Sequence, residues 1–253
     1  MNSNFEQDYK DIIRDIISYG TKDRNRTGVD TLVLPNLSIT FSSGYDQLVP
    51  LITGKKVFYS KALAEFEWIY QGMTNVDYLN KHNIKWWNEY ADENGELGKT
   101  YGYQLRKYNG YFDQLRYVEK EIIKGSRRAH ATFWNPAELE ETALPCCYTG
   151  VTFVLTNDSK ILNASIQFRS SDVFLGLPYD FIFGYRLLKE VANSTNKVVG
   201  SITYNLANAH IYENHIEQCA KYLSLSHYNL PTEKQVALKQ YIQGPYLDAK
   251  MNN

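Results

Sequence analysis

The residues with the clearest chemical capacity fall in two short stretches. The first, Ala143-Leu144-Pro145-Cys146-Cys147-Tyr148, offers a thiol just ahead of a β-rich run. The second, Gln167 to Asp180, gathers Arg169, Ser170, Ser171, Asp172 and Asp180 in a tight span. A thiolate attacks electron-poor carbon. An arginine holds a phosphate through its planar fork of donors. A carboxylate reads the edge of a base.

The elements that must position these groups follow from apolar spacing. Phe5, Tyr9, Ile12, Ile13, Ile16 and Ile17 recur at helical intervals, so residues 5–18 read as an amphipathic helix that ends before Gly20. A polar loop, Asp23 to Thr31, carries Arg24 and Arg26 beside Gly28, and a strand follows near 31–41. Arginines in such a loop suit an anion, although a solvated turn explains them more simply. Residues 56–72 read as a helix stopped by Gly72. It carries Glu65 and Glu67 in an apolar run; two apart, they cannot share a face, so one is expected inside and one outside. Residues 83–110 are loop-like and aromatic, with Trp86, Trp87, Tyr90, Tyr101, Tyr103 and Tyr108. Such rings wall a pocket for a flat ligand or form a small core of their own. A helix over 112–124 ends at Gly125, before Ser126-Arg127-Arg128. Residues 150–155 and 161–169 form a hairpin around Thr156-Asn157-Asp158-Ser159. In its second strand Leu162, Ala164, Ile166 and Phe168 face one way, and Asn163, Ser165, Gln167 and Arg169 the other. A helix over 180–194, a short strand at 200–205 and a helix near 212–224 complete the chain.

Bulk properties bound the answer. The 253 residues are enough for one large α/β domain or two small ones, and no repeat, low-complexity tract or linker divides them. A net charge of -1 argues against non-specific nucleic-acid binding, so an anionic ligand must be held by local arginines. Three cysteines, two of them adjacent, make no disulfide framework. Met1 to Asp8 shows neither a basic n-region nor an apolar h-region, and no run is long enough for a transmembrane span. The expectation is a reduced, cytoplasmic protein. The 21 tyrosines suit a hydroxyl-rich site, and equally a biased genome composition, which is the weightier explanation.

Taken together, the motifs resemble a known family. Arg26-Thr27-Gly28, Glu65 with Trp68 and Gln71-Gly72, Tyr101-Gly102, Ser126-Arg127-Arg128, Trp134-Asn135-Pro136, Ala143 to Cys147, Arg169-Ser170-Ser171-Asp172, Gly176-Leu177-Pro178 and His210-Ile211-Tyr212 stand in the order and spacing of the thymidylate synthase superfamily, from about residue 20 to about residue 220. The resemblance implies an α/β (α+β) fold: one thymidylate synthase-like domain over 1–253, a mixed β-sheet packed with helices, and a homodimer through the sheet. It implies 5,10-methylenetetrahydrofolate as co-substrate, no metal, and no required nucleic acid or membrane. Cys147 resembles the nucleophile that adds to C6 of a pyrimidine, with Arg169 the cation that favours its thiolate. Arg26, Arg169 and Ser170 resemble phosphate ligands, and Arg127 and Arg128 those that reach across a dimer interface. His210 and Tyr212 resemble the pair on the sugar 3′-hydroxyl. Glu65 resembles the carboxylate that orders water and relays protons. Asp172, Trp87 and Tyr101 resemble residues at the folate.

Departures from the pattern point to the substrate. Where thymidylate synthases carry an asparagine that pairs with uracil N3–H and O4, this chain has Asp180. Cytosine reverses that donor–acceptor pattern, and a carboxyl group can meet it. Asp180 is also explained as a first-turn helix residue favoured by the dipole. This aspartate, and one extra residue between Asp180 and Leu187-Leu188, are similar to the phage deoxycytidylate hydroxymethylases. Tyr148 replaces the histidine usual after the nucleophile, and Ala207-Asn208 replaces Gly-Asp before His210. The polar run Leu247 to Asn253 lacks an obvious apolar end to close over a folate. The implied activity is hydroxymethylation of dCMP, with Cys147, Glu65, Asp180 and Tyr148 at the chemistry. The other readings are reductive methylation of dCMP or dUMP, a CMP hydroxymethylase, and a silent nucleotide-binding relative.

Overall fold

The computed structural model describes residues 5–44 and 46–252. The first four residues of the N-terminal stretch and Asn253 of the polar C-terminal run lie outside them. In chain order the elements are α1 (Phe5–Tyr19), β1 (Thr21–Asp23), β2 (Thr31–Ser42), α2 (Tyr59–Tyr70), α3 (Asp77–Lys81), α4 (Tyr101–Lys107), α5 (Gln114–Ile123), β3 (His130–Thr132), β4 (Tyr148–Thr156), β5 (Ile161–Phe168), β6 (Ser171–Asp172), α6 (Leu177–Ser194), β7 (Val198–Tyr212), α7 (Ile216–Ser224) and α8 (Glu233–Ala237). Among the described residues seven strands, paired both antiparallel and parallel, are packed with helices, so the expected mixture of sheet and helices is what is found. The described residues group into two compact units. One comprises the chain up to Tyr59, Phe168–Tyr185 and the chain from Ser201; the other comprises Ser60–Gln167 and Arg186–Gly200.

In the first unit the sheet runs β1-β2-β7, antiparallel, with β6 parallel beside β7. The apolar stripe of α1 (Phe5, Tyr9, Ile12, Ile13 and Ile16) is buried. Its rings meet edge-on with Phe41 at 5.2 Å and Phe181 at 4.8 and 5.6 Å, and Phe181 meets Tyr204 at 5.0 Å. Each such fully buried ring contributes about 2–3 kcal/mol. The same helix buries Glu6, which is 1% exposed. Its carboxylate accepts four hydrogen bonds: from Thr53 N–H (2.6 Å), Thr53 O–H (2.7 Å), Gly54 N–H (2.6 Å) and Tyr222 O–H (2.8 Å). That full pairing is what a buried polar group requires.

β7 is fifteen residues long rather than a short strand over 200–205. It pairs with β2 in one register from Ser201 to Tyr212, interrupted only opposite Asn36, whose φ is +62°. With a period of two, Ile202, Tyr204, Leu206, Asn208, His210 and Tyr212 share one face. The apolar half anchors in the core, and the polar half hides from periodicity because Asn, Ala and His read as loop. α6 begins at Leu177, three residues ahead of expectation, because Pro178 suits a first helical turn. The C-terminal run is docked on this unit. Gly244 N–H donates to Thr53 O at 2.7 Å, Lys56 N–H to Pro245 O at 3.0 Å and His215 Nε2 to Lys250 O at 2.7 Å, while Leu247 is buried.

In the second unit the sheet runs β5-β4-β3. β5 alternates as its sequence dictates: Leu162, Ala164 and Ile166 are buried, and Asn163, Ser165 and Gln167 are not. α2 and α5 bury Phe66, Trp68, Ile69, Leu115, Val118 and Ile122. Asp113 caps α5 by accepting from Arg116 N–H at 3.1 Å. Residues 101–107, expected as loop, form α4. Gly102 masked the helix, and it is there for space: a Cβ would lie 2.7 Å from Met73 O. Among the described residues no helix is long and apolar enough to cross a membrane.

Candidate active site

Within the second unit, the thiol arm is registered against the chain before α4. Lys99 N–H donates to Glu141 O (3.0 Å) and Ala143 N–H to Leu97 O (3.1 Å). Gly98 allows this approach: its φ is +69°, and a Cβ there would lie 2.1 Å from Glu141 O. Glu138, 8% exposed, ties the same region, accepting from Lys99 Nζ (2.9 Å), Gln104 Nε2 (3.1 Å) and Asn135 Nδ2 (2.8 Å). Gly98→Ala is therefore expected to destabilise by about 2–4 kcal/mol, since strain and a backbone clash combine. A thermal melt within a degree of the wild type would refute this.

At the end of the arm, Cys146 is buried and Cys147 half-buried, which leaves Cys147 as the accessible thiol of the pair. Cys147 N–H donates to Tyr101 Oη at 2.7 Å, fixing the backbone beside the sulfur. Tyr148 packs its ring 4.3 Å from Tyr101 and edge-on to Phe133 at 5.1 Å, and is 4% exposed. Burial pushes the Tyr101 hydroxyl well above its ordinary value, helped by the nearby Cys147 and Cys146, so it stays protonated. Trp87 lies edge-on to Tyr101 at 5.9 Å.

Glu65 and Glu67 are both half-buried on α2, and Glu65 is the one bonded to the tryptophan rings. Its Oε1 accepts from Trp87 Nε1–H at 2.5 Å and Trp86 Nε1–H at 3.0 Å, whereas Glu67 accepts from Gln71 Nε2 at the surface. Burial raises the Glu65 pKa, and the two indoles pull against it. A raised folded value means the folded chain holds a proton that the unfolded chain has lost. Stability then falls as pH rises from the ordinary value near 4.5 through the raised one. Glu65→Gln is expected to flatten that slope above pH 4.5 in thermal melts; an unchanged slope would mean an ordinary carboxyl.

Within the first unit, Asp172 pairs opposite His210 across β6 and β7. Asp172 Oδ1 accepts from the N–H groups of Phe174 (3.1 Å) and Leu175 (3.0 Å), while Oδ2 has no hydrogen bond among the described residues. The turn is carried from α1 and the 53–55 segment: Tyr9 O–H donates to Val173 O (2.8 Å) and Lys55 Nζ to Phe174 O (2.6 Å). Burial lowers the Lys55 pKa to about 8, against the raising effect of Asp172. His210 Nδ1 lies 3.0 Å from Asn208 Oδ1, and Tyr212 stands edge-on to His210 at 5.3 Å. Asp180, half-buried in the first turn of α6, donates its N–H to Gly176 O at 3.2 Å. Burial, then the Asp180 charge, raises the Tyr204 hydroxyl pKa. Arg169 is exposed, Ser170 is half-buried, and buried Ser171 Oγ lacks a partner among the described residues. Arg26 is exposed in the loop between β1 and β2. Arg127 and Arg128 are exposed just past α5 and Gly125.

A thiol arm, a carboxylate held by indoles, and a strand end carrying histidine and tyrosine invite comparison with known families. The family model described as thymidylate synthase matches residues 7–247. The chain belongs to the thymidylate synthase family. The family carries out one-carbon transfer to a nucleotide with methylenetetrahydrofolate as co-substrate. The residues present fit that partner. A pterin edge offers N–H donors, and Asp172 Oδ2 is an acceptor without a competing hydrogen bond. Trp87, 8% exposed with its N–H committed to Glu65, offers less wall than its sequence position implies and more support to the carboxylate. Among the described residues no group of three His, Cys, Asp or Glu could hold a metal ion.

Three contacts in these regions were beyond the sequence reading. Trp86 gives Glu65 its second donor, and only the Trp86-Trp87 pair hinted at it. Lys55 sits in a helix-flanking Gly-Lys-Lys run that reads as surface. Asn208 shows as a departure from the family pattern, but its contact to His210 needs the strand.

Proposed function

We propose that this member of the thymidylate synthase family is a deoxycytidylate 5-hydroxymethyltransferase acting as one catalytic domain. The reaction is dCMP, methylenetetrahydrofolate and water giving 5-hydroxymethyl-dCMP and tetrahydrofolate. The observation that carries the reading is Asp180, where thymidylate synthases have asparagine. Protonated, its carboxyl donates to cytosine N3 and accepts from the 4-amino group. Ionised, it suits cytosine protonated at N3. An ionised carboxylate facing uracil O4 sets acceptor against acceptor.

In this reading the Cys147 thiolate adds to C6 of the pyrimidine, which makes C5 nucleophilic. The folate, when bound, supplies the one-carbon unit. Asp172 accepts from its pterin, and Tyr101 holds the Cys147 backbone. Glu65, whose pKa is raised by burial, orders the water that ends as the hydroxyl. Arg26, Arg169 and Ser170 hold the phosphate. We assign Arg127 and Arg128 to the phosphate bound by a second copy in a homodimer, which their exposure allows. His210 and Tyr212 hold the sugar 3′-hydroxyl.

The buried rings Tyr101, Tyr148 and Phe133 beside Cys147 favour a second reading, in which a drier site directs reductive methylation of the same base. Incubation with methylenetetrahydrofolate and either dCMP or dUMP, with products read by mass spectrometry and dihydrofolate by absorbance, separates the readings. Hydroxymethyl-dCMP without dihydrofolate supports the proposal. Methyl-dCMP with dihydrofolate supports the second reading. Methyl-dUMP overturns both. Glu65→Gln is expected to lower turnover by about 10²–10⁴-fold with the nucleotide still bound, as measured by steady-state kinetics and equilibrium dialysis.

A further inference from the structure

We infer that Asn208 is a positioning residue that fixes the tautomer of His210, so that His210 meets the nucleotide sugar as a hydrogen-bond acceptor. The inference rests on the sugar-contact reading of His210 above and adds to it the direction of the hydrogen bond.

His210 Nδ1 lies 3.0 Å from Asn208 Oδ1 and 3.4 Å from the Asn208 carbonyl oxygen. A side-chain amide can be turned about, but a backbone carbonyl only accepts. Two acceptors at one ring nitrogen place the proton on Nδ1. A neutral imidazole carries one N–H, so Nε2 keeps its lone pair. Nε2 has no hydrogen-bond partner among the described residues. Neutrality itself is favoured: His210 is 9% exposed, and burial lowers its pKa against the smaller raising effects of Asp172, its neighbour across the parallel pair, and of the Asn208 carbonyl. Asn208, His210 and Tyr212 lie on one face of β7, so the amide reaches the ring from two residues back without bending the strand.

A lone pair at Nε2 accepts from a sugar hydroxyl and gains nothing from a 3′ carbon bearing hydrogen alone. A carboxylate at position 208, the residue in the family pattern, would favour the imidazolium. Both ring nitrogens would then donate, and the same hydroxyl would have to accept. Asparagine in place of aspartate thus chooses between two ways of holding one sugar.

The test begins without substrate. Nitrogen NMR of the ¹⁵N-histidine-labelled full chain, with His210 assigned through His210→Gln, is expected to show a single Nδ1–H form in the wild type. Asn208→Ala, which keeps only the long 3.4 Å contact to the backbone carbonyl and loses the 3.0 Å one to the amide, should give a tautomer mixture, and Asn208→Asp a protonated ring near neutral pH. An Nε2–H ring in the wild type, or an unchanged ring in Asn208→Ala, overturns the inference. With dCMP, Asn208→Ala should raise the nucleotide KM roughly tenfold and leave kcat within about twofold, as loss of one uniform binding contact does. The wild type should use 3′-deoxy-dCMP at least about tenfold less well, and Asn208→Ala should lose most of that discrimination. If the NMR form is as expected but the 3′-deoxy nucleotide serves equally well, the sugar-contact reading has failed and the inference falls with it.

Discussion

Cys147→Ala is expected to lower turnover by at least about four orders of magnitude, the scale on which loss of a covalent nucleophile acts. The expectation is specific to one of two adjacent thiols. Cys146 is 3% exposed and packed in the core, so Cys146→Ala should cost stability, about 1 kcal/mol, and spare the chemistry. Cys147 is half-buried, and alanine keeps its backbone bond to Tyr101. Cys147→Ala should therefore melt close to the wild type and still bind nucleotide. Product formation by mass spectrometry, alongside a thermal melt of both variants, gives the answer. An active Cys147→Ala enzyme would remove the covalent mechanism altogether.

The second large effect is on choice of base. Asp180→Asn is expected to move the ratio of kcat/KM for dCMP over dUMP towards dUMP by about 10³-fold or more. A site built to pair one hydrogen-bond pattern leaves buried groups unpaired when the pattern reverses. Asparagine keeps the size and the first-turn position in α6. The loss of a favourable charge at the helix start costs only about 0.3–1 kcal/mol. Stability is therefore a poor explanation for any change seen. Competition between the two nucleotides in one vessel, read by product mass, measures the ratio directly. An unmoved ratio would mean that Asp180 does not read the base, and would remove the main support for a cytosine substrate.

How much was legible depended on whether a residue's role lay in its own segment. The alternation of Leu162, Ala164, Ile166 and Phe168, the stripe on α1 and the glycine stops at Gly72 and Gly125 are local signals, and the structure follows them. The aspartate at 180 stood out because its position in an ordered set of motifs is also local information. What could not be read depends on chain brought from elsewhere. α4 was hidden by Gly102, whose reason is the Met73 carbonyl. The polar half of β7 is a strand because β2 pairs with it from Asn208 to Tyr212, not because its side chains alternate in hydropathy. Glu65 and Glu67 differ only in what lies opposite, two indoles in one case and a surface glutamine in the other.

The buried carboxylate of Glu6 bears on how the chain is made. Its hydrogen-bond donors come from Thr53, Gly54 and Tyr222, so α1 waits during synthesis for a tyrosine 216 residues further along the chain. Until Tyr222 emerges, α1 exposes its apolar stripe and holds a carboxylate without its full set of partners. Synthesis at about 5–20 residues per second keeps it in that condition for roughly ten seconds or longer. Closure over so long a separation is slow compared with local helix formation. The nascent chain is then a client for any holdase that recognises an apolar helix, and the unit containing Asp172, Asp180 and His210 is completed only once Tyr222 has emerged.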